Sequence, residues 1–509
     1  MRKILMFLGF VLITIALVAC DQVPRDDDEI VVANPHNDIY YVVFVRSFAD
    51  SDNDGIGDLQ GLAENMDYFT ELGVTALWLL PINPSPSYHG YSVTDYFGIE
   101  EDYGDMTDFE TMMDAADDAG IKIMMDLVIN HTSDQHPWYV SAQNPTSAYR
   151  DYYIWDNGNA FESFVGGMKD LNLSNPDVVD MVKSIMTFWL DKGVHGFRLD
   201  AAKHFFDKPG IVGVDLKNTL FINELNLHMD SVNPDSYLLA EVFDYSEAIY
   251  PNYYIGTDSL FNFYGAAQIW DKVGSGNNRY LLARNFERFY DALRVIDPDF
   301  TDAPFLTNHD LDRLASTGAF AGAEGPAKLR QAASVLLTLP GSPFIYYGEE
   351  LGMKGYRDYA NDGQSVPGYG VAYDEYRRTP FLWGDPSVQT TWFPDTQNLA
   401  TPSLDVQRTD SQSLYNHYRT MIALRSDNPA LMYGNSFMPY DGNTNTLQGY
   451  VRHYDDGQSE QAVLVIHNLT SDPVVLDIAH LEILYGSQTL EGYGTVVYEI
   501  DPDLIGDYS

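Results

Sequence analysis

The sequence predicts an α/β protein built on a closed (β/α)8 barrel, or TIM barrel, with a subdomain inserted after strand 3 and a C-terminal antiparallel β domain. Eight short apolar runs alternate with helical segments between residues 40 and 348, which indicates a parallel sheet long enough to close. A long irregular segment interrupts this alternation after the third run. From about residue 435 the pattern changes to short β-runs separated by turns. The 509 residues suffice for this organisation.

The barrel elements are assigned from this alternation. The predicted strands are residues 40–48, 76–82, 121–128, 196–202, 237–242, 259–264, 304–310 and 342–348. Helical segments are predicted at residues 62–72, 108–119, 178–192, 327–337 and 412–425. Because parallel strands need helical crossovers and eight repeats close a sheet on itself, these elements predict a barrel.

The predicted domains follow from the interruptions. The catalytic barrel is expected to span residues 35–430, with an inserted domain B at about 131–173, a segment rich in Tyr, Trp, Asn and Gly. Loops of such length are usually functional or form small subdomains. The C-terminal domain, residues 431–509, contains predicted strands at 448–454, 461–467, 474–478 and 495–500. Turns such as Asp441-Gly442 separate these strands.

The N-terminal segment has the pattern of a lipoprotein signal peptide, residues 1–20. Arg2 and Lys3 precede an apolar stretch at residues 4–19, which is short for a membrane span, and the one cysteine of the chain, Cys20, follows it. Residues 21–34 predict a flexible acidic tether. We therefore expect an extracytoplasmic protein that is lipid-anchored to the cell membrane through Cys20. A single cysteine excludes a disulfide framework.

The composition limits the class of ligand. The 29 Lys and Arg residues face 74 Asp and Glu residues, so the formal net charge is −45. Such a field repels nucleic acid, and we predict no nucleic-acid partner. A neutral or cationic ligand is favoured. The 36 Tyr and 7 Trp residues suit binding to the flat apolar faces of sugar rings, although aromatic side chains also fill cores.

Acidic residues stand at the ends of four predicted strands: Asp126, Asp200, Glu241 and Asp310. Catalytic residues of such barrels lie at the C-terminal ends of the strands, so these positions predict one common site. Arg198 and Asp200 are two residues apart and share one face of a strand. A cation beside a carboxylate lowers its pKa, which suits a nucleophile. A structural Arg–Asp pair is the alternative reading of these two residues alone.

An acidic loop after the first predicted strand is the candidate metal site. Oxygen ligands at alternate positions, with a glycine at the sixth, wrap Ca²⁺ in EF-hand loops. The twelfth position is Gly61 rather than Glu, and a strand precedes the loop, so no EF-hand helix pair is expected. A solvated acidic turn is the alternative. The predicted Ca²⁺ ligands are Asp50, Asp52, Asp54, the backbone carbonyl of Ile56, and Asp58.

Four segments in chain order carry a family resemblance: residues 126–131, 196–204, 239–242 and 305–310. Together they resemble the α-amylase family of glycoside hydrolases over nearly the whole chain after the tether. Within this family, the sequence resembles a bacterial α-amylase lipoprotein that stands between the oligo-1,6-glucosidase and neopullulanase subgroups. Calcium loops like that at residues 50–58 occur in this family. The resemblance also implies a second calcium site at Asn130, Asp170 and the carbonyl of His204, although Lys169 departs from the usual pattern there.

The resemblance implies the roles of the site residues. Asp200 becomes the nucleophile, Glu241 the general acid and base, and Asp310 a stabiliser of the oxocarbenium-like transition state. For each histidine, a structural role is the alternative to a sugar contact. The residues implied in substrate binding are Tyr91, His131, Arg198, Lys203, His204 and His309.

The expected reaction is hydrolysis of internal α-1,4-glucosidic bonds of starch and maltooligosaccharides by double displacement. Ala201 and the Lys203-His204 pair resemble those of amylases, and Tyr88 stands where α-glucosidases place an acid that grips a terminal sugar. The loop at residues 50–58 and the 168–172 segment favour the alternatives, an exo-acting α-glucosidase or a neopullulanase-like transglycosidase. A non-catalytic glycan-binding lipoprotein is a third possibility, disfavoured by the intact acids. The oligomeric state is not predicted.

Overall fold

The computed structural model describes residues 37–246, 248–275, 282–360 and 362–509. The predicted signal peptide, Cys20 and the acidic tether lie outside these residues. Within the described ranges, no helix has both the length and the apolar character needed to cross a membrane.

Eight parallel strands form the barrel, as the alternation predicted. They are β1 Tyr40–Val43, β2 Ala76–Leu79, β3 Lys122–Leu127, β4 Gly196–Leu199, β5 Tyr237–Ala240, β6 Ser259–Phe261, β7 Thr301–Ala303 and β8 Phe344–Tyr346. Each strand pairs with its neighbours in sequence, and β1 also pairs with β8. A parallel bridge between Phe305 and Phe344 completes the ring. Nearly every strand residue is buried, as expected for strands covered on both faces.

The seventh strand lies earlier than predicted. The prediction of a strand at residues 304–310 is wrong. The hydrogen-bonded strand ends at Ala303, and beyond Pro304 only Phe305 forms a bridge to a neighbouring strand. Proline has no N–H to donate, so it interrupts the ladder. The remaining residues form a loop that carries His309 and Asp310 at the C-terminal rim of the barrel. The first strand is also shorter than predicted, because a short helix, Val45–Phe48, follows it.

Helices surround the barrel. Asp105 begins one of them with a capping box in which Asp105 and Asp108 each accept a hydrogen bond from the other's backbone N–H. Asn175 caps another, with Pro176 at its first position. The principal helices are Leu59–Glu64, Met66–Leu72, Met106–Asp118, Pro176–Asp191, Val214–Val232, Phe263–Ile269, Leu282–Arg294, Gly325–Thr338, Leu404–Thr409, Leu414–Asp427 and Pro429–Met432.

The segment after β3 forms a small subdomain. His131–Ser133 pairs with Met168–Asp170, so that His131 lies opposite Asp170 at the base of the insertion. A helix, Pro137–Ala142, and a hairpin of Trp155–Asp156 with Asn159–Ala160 lie between these strands. The insertion therefore begins and ends beside the C-terminal rim of the barrel.

The C-terminal β domain is a five-stranded antiparallel sheet. In spatial order its strands are Met438–Pro439, Leu447–Asp455, Glu460–Asn468, Thr495–Ile500 and Glu482–Tyr485. The predicted strand at 474–478 is reduced to Val474–Val475, which pairs with Thr489–Leu490 in a separate sheet. The domain attaches to the barrel helix Gly325–Thr338: the hydroxyls of Tyr450 and Thr338 lie 2.6 Å apart, and the Arg452 guanidinium donates to the Thr338 carbonyl.

Candidate active site

One buried guanidinium joins the acidic residues at the C-terminal ends of β3, β4 and β5. Arg198 Nη1 lies 2.8 Å from Asp126 Oδ1 and 2.8 Å from Asp200 Oδ1, and its Nη2 lies 2.9 Å from Glu241 Oε2. The strand register causes this convergence, because Arg198 pairs laterally with Asp126 on one side and Leu239 on the other. The structure thus brings together two of the three predicted catalytic acids, Asp200 and Glu241, on a single cation.

The backbone turns sharply after Asp200. Ala201 adopts the left-handed conformation, with φ 49° and ψ 36°, which costs about 1 kcal/mol for a residue other than glycine. Its N–H donates to Glu241 Oε2 at 3.0 Å. The strained turn after Asp200 therefore directs the Ala201 N–H at the Glu241 carboxylate, and this contact fixes the position of Glu241 relative to Asp200.

The third predicted catalytic acid, Asp310, stands in the loop after β7. Its two oxygens lie 3.1 Å from His309 Nε2 and 3.2 Å from Arg378 Nη2. The Asp310 side chain is 52% exposed, the most open of the three acids. Its partial burial opposes ionisation, but His309, Arg378 and Arg198 together lower the pKa of Asp310 below its ordinary value. A permanent negative charge at the mouth of the site follows.

Burial raises the pKa of the other acids. It raises the pKa of Asp126 to about 7, although Arg198 lowers it. Burial also raises the pKa of Asp200, and this effect is larger than the lowering by Arg198. The sequence had led us to expect a lowered pKa at Asp200. Burial also raises the pKa of Glu241, against Arg198, and the negative charges of Asp200 and Asp310 add to this rise. A raised pKa is the direction that a general acid needs.

Three of the predicted substrate-binding residues form a buried network behind the acids. The Tyr91 hydroxyl donates to Asp126 Oδ2 at 2.9 Å and lies 2.7 Å from His309 Nε2. His131 Nε2 lies 3.0 Å from the Tyr91 carbonyl. The Tyr91 ring is stacked with the His309 ring at 5.4 Å between centroids. These contacts fix the wall on which a sugar ring would rest.

The remaining predicted contacts, Lys203 and His204, follow β4 in a more open position. The Lys203 ammonium pairs with Asp244, a residue that the sequence did not single out. The His204 ring contacts the Phe164 ring of the inserted subdomain, with centroids 5.3 Å apart. Both side chains are about one-third exposed or more, so they remain available to a ligand.

Two functional-site residues were missed because they come from the irregular segment after β8. Asp374 accepts a hydrogen bond from the Tyr88 hydroxyl, and Arg378 Nη2 lies 3.0 Å from Asp374 Oδ2 as well as 3.2 Å from Asp310. An acid from a distant part of the chain is therefore held beside Tyr88. No local sequence pattern indicated that this segment folds back over the barrel mouth.

The acidic loop brings three of its five predicted ligands together. Carboxylate oxygens of Asp50, Asp52 and Asp58 all lie within 4.8 Å of one another. Asp54 is outside this cluster, and its carboxylate accepts from the Ile56 N–H at 2.7 Å. Asp50 is buried, and backbone N–H groups of Asn53 and Gly55 hold its two oxygens. Three converging carboxylates suit a hard cation such as Ca²⁺, so these residues fit the predicted ion.

Comparisons with known proteins cover most of the chain. A family model of the alpha-amylase catalytic domain matches residues 42–165 and 160–434. Alpha-amylase 3 of Dictyoglomus thermophilum is 42% identical over 455 residues, which cover 85% of this chain and 85% of that protein. A 4-alpha-glucanotransferase of Thermotoga maritima is 31% identical over 475 residues, covering 86% and 97%. The crystal structure of an alpha-amylase from H. orenii superposes with a TM-score of 0.79 at 35% identity, covering 92% and 100%.

Proposed function

The chain belongs to the family of the alpha-amylase catalytic domain and is a glycoside hydrolase, and from this premise we propose that it cleaves internal α-1,4-glucosidic bonds of starch and maltooligosaccharides with retention. The observation that carries the proposal is the pairing of Asp200 and Glu241 on the one guanidinium of Arg198. Retaining glycosidases need two adjacent carboxyl groups, one as nucleophile and one as acid and base.

The reaction proceeds in two displacements. Asp200 attacks the anomeric carbon while Glu241 donates its proton to the departing glycosidic oxygen, which leaves a covalent glycosyl-enzyme. Glu241, now a carboxylate, takes a proton from water, and the water oxygen attacks the anomeric carbon and releases Asp200. Asp310 stabilises the positive charge that develops on the sugar ring in both transition states. Arg198 holds the carboxyl groups of Asp200 and Glu241 in position during both displacements.

Internal cleavage is the preferred specificity. The names of the two similar alpha-amylases support it, together with Ala201 and the partly exposed pair Lys203 and His204, which resembles the pair by which amylases hold sugars beyond the cleaved bond. One observation favours an exo-acting or transferring enzyme instead. Asp374, which is paired with Arg378, accepts a hydrogen bond from Tyr88, and Tyr88 stands where α-glucosidases place an acid that grips a terminal sugar.

A product time course tests the proposal. Soluble starch is incubated with the protein beside maltotriose and isomaltose, and products are separated by chromatography. We expect rapid loss of iodine staining with mixed maltooligosaccharides. Glucose released from maltotriose or isomaltose, with little loss of iodine staining, would identify the exo-acting alternative, and longer chains made from maltotriose would identify a transferase. No product from any substrate would favour a glycan-binding protein.

We also propose that the loop at residues 50–58 binds Ca²⁺. The converging carboxylates of Asp50, Asp52 and Asp58 support this, because several carboxylates at such short range repel one another without a cation between them. Burial raises the pKa of Asp58, while hydrogen bonds from Ser51 and Gly61 lower it. The loop follows the helix Val45–Phe48, and its carboxylates accept from N–H groups of the loop itself rather than from Arg198, so the ion would have a stabilising role rather than a catalytic one.

Finally, we propose attachment to the outer face of a membrane through lipid on Cys20. The basic start, the apolar stretch at residues 4–19 and the lone cysteine support it. Expression with labelled palmitate is the test: label in the native protein and none in Cys20→Ala is the expected result. Equal labelling of the two proteins, or no label in either, would contradict the proposal.

A further inference from the structure

A buried lysine ammonium lies where three segments of the molecule meet at the barrel rim. Lys208 Nζ forms an ion pair with Asp170 and lies 2.9 Å from Asn130 Oδ1 and 3.1 Å from Ser163 Oγ. Asn130 follows β3, Ser163 and Asp170 belong to the inserted subdomain, and Lys208 lies in the segment after β4. The side chains of Lys208 and Asp170 are fully buried. This contact therefore ties the insertion to the barrel.

Two of the residues that accept this ammonium, Asn130 and Asp170, are among the three that the family resemblance assigned to a second calcium ion. The side chains of Asn130 and Asp170 already coordinate Lys208, and the His204 carbonyl, the third implied ligand, accepts the Asp207 N–H of its own turn. A divalent ion in the same place would have to displace a buried cation whose charge Asp170 balances. The residues present do not fit a metal.

We propose that the Lys208 ammonium is the resident cation of this junction in place of a metal ion, and that it positions the cleft wall formed by Ser163 and Phe164. Ser163 donates to both oxygens of Asp170, from its N–H at 2.8 Å and from its hydroxyl at 2.5 Å. The positioning part of this inference rests on the proposed hydrolysis of glucans, whereas the cation part does not.

The link to the active site runs through the residue after Ser163. The Phe164 ring lies 5.6 Å from the His131 ring and 5.3 Å from the His204 ring, measured between centroids. Both histidines are predicted substrate contacts. Asn130 accepts from the ammonium through its side-chain oxygen, and its side-chain nitrogen lies 3.2 Å from His131 Nδ1. Lys208 thus contacts Asn130 and Ser163, and Asn130 and Phe164, the residue after Ser163, both adjoin His131. Because its own side chain is fully buried, Lys208 is a positioning residue.

The charge balance explains why a cation is needed here. A fully buried carboxylate without a partner is strongly unfavourable, and removal of one member of a buried pair leaves the other uncompensated. Burial lowers the pKa of Lys208, but Asp170 opposes this and favours the ammonium form. Lys169, adjacent in sequence, pairs with Glu162 instead, so it does not compensate Asp170.

The test removes the lysine in a protein whose acidic loop carries Asp52→Ala and Asp58→Asn, which remove two of its three converging carboxylates, so that only the junction is probed. In this parent, neither calcium nor a chelator should change the melting temperature. Lys208→Ala opens a space lined by oxygens, and its melting temperature should fall by several degrees and recover substantially with calcium chloride or with propylammonium chloride. Lys208→Met fills the space without a charge, so it should be destabilised and recover with neither.

Kinetics then separate positioning from stability. At a temperature where all variants are folded, kcat/KM for maltoheptaose should fall at least about tenfold in Lys208→Ala and rise again with propylammonium, because displacement of a cleft wall by about 1 Å is costly. Unchanged kcat/KM in the folded variant would overturn the positioning role. Calcium binding by the parent at the junction, or a Lys208→Met protein as stable as its parent, would overturn the cation role. A parent without glucan hydrolysis would refute the proposed function alone, since the melting experiments still report on the cation.

Discussion

Two acidic clusters of this molecule differ in where their countercharge comes from. At the barrel mouth, Arg198 holds Asp126, Asp200 and Glu241 with three contacts of 2.8–2.9 Å. In the loop at residues 50–58, carboxylates also converge, yet their contacts within the described residues are to backbone N–H groups and the Ser51 hydroxyl. A covalently attached cation fixes geometry permanently, whereas a site without one depends on an ion from solution. We therefore propose that catalysis rests on the first cluster and that the second contributes to stability by binding an ion from solution.

The largest effect should come from the catalytic acids themselves. Asp200→Asn or Glu241→Gln should lower kcat on starch roughly 10³-fold or more, since each removes one of the two groups that the double displacement needs. Circular dichroism and the melting temperature check that the fold survives. Turnover near that of the native protein in either variant would contradict the assignment.

A substrate with a good leaving group distinguishes the two acids. α-Maltosyl fluoride loses fluoride without protonation, so the first displacement should be largely retained in Glu241→Gln, visible as a burst of fluoride, and lost in Asp200→Asn. Equal losses in both variants would mean that Glu241 is not the proton donor.

Removal of the shared cation is the next largest effect. Arg198→Met leaves three buried carboxyl groups without a countercharge, and removal of one partner from such a pair costs about 3–5 kcal/mol. We expect a lower free energy of unfolding in urea and loss of activity. Lys208→Met is the matched comparison, because it removes a buried cation from one carboxylate rather than three. A larger loss of stability in Lys208→Met than in Arg198→Met would show that the number of carboxyl groups served by a cation does not determine the cost of its removal.

Chelation should produce a smaller effect, confined to stability. An ion that binds only the folded state stabilises it by about 2.7 kcal/mol at a hundredfold excess over Kd. The melting temperature should fall in excess chelator, while kcat measured well below that temperature should change little. In Asp52→Ala/Asp58→Asn, which lacks two of the three converging carboxylates, the chelator should have no further effect. A fall of equal size in that variant would place the ion elsewhere.

The smallest effect concerns acids that are buried with hydroxyl partners. Glu350 accepts from Tyr41 and Tyr68, and burial raises its pKa to about 7, while the pKa of Glu349 rises to about 8. The unfolded chain releases these protons near pH 4.5 and the folded chain only near 7–8. Their contribution to stability is therefore complete below about pH 4.5 and is lost as the pH rises through 7–8.

Glu350→Gln should accordingly flatten the decline in unfolding free energy between pH 5 and pH 8 by about 1 kcal/mol or more. Glu101→Gln, at an exposed glutamate, serves as the matched control and should leave that slope unchanged. An equal decline in Glu350→Gln and in the native protein would show that Glu350 does not retain its proton on folding.

The sequence predicted the barrel and the acids at its mouth because both depend on local patterns. Apolar runs locate strands, and the positions after them locate Asp200 and Glu241. The position of the seventh strand was predicted wrongly, at residues 304–310 instead of Thr301–Ala303. The apolar residues around Phe305 suggested a strand there, although Pro304 interrupts the ladder. Asp374, Arg378 and Lys208 were not predicted either. Each acts across more than thirty residues of sequence or from an irregular segment, and no periodicity encodes such contacts.

Retention of configuration requires Asp200 to form the covalent intermediate, and this can be observed directly. A 5-fluoro-α-glucosyl fluoride slows the second displacement more than the first, so the glycosyl-enzyme should accumulate. Protease digestion followed by mass spectrometry then locates the added sugar. We expect one added glycosyl unit on the peptide that contains Asp200, and none in Asp200→Asn. A sugar attached to another residue, or turnover through products of inverted configuration, would contradict it.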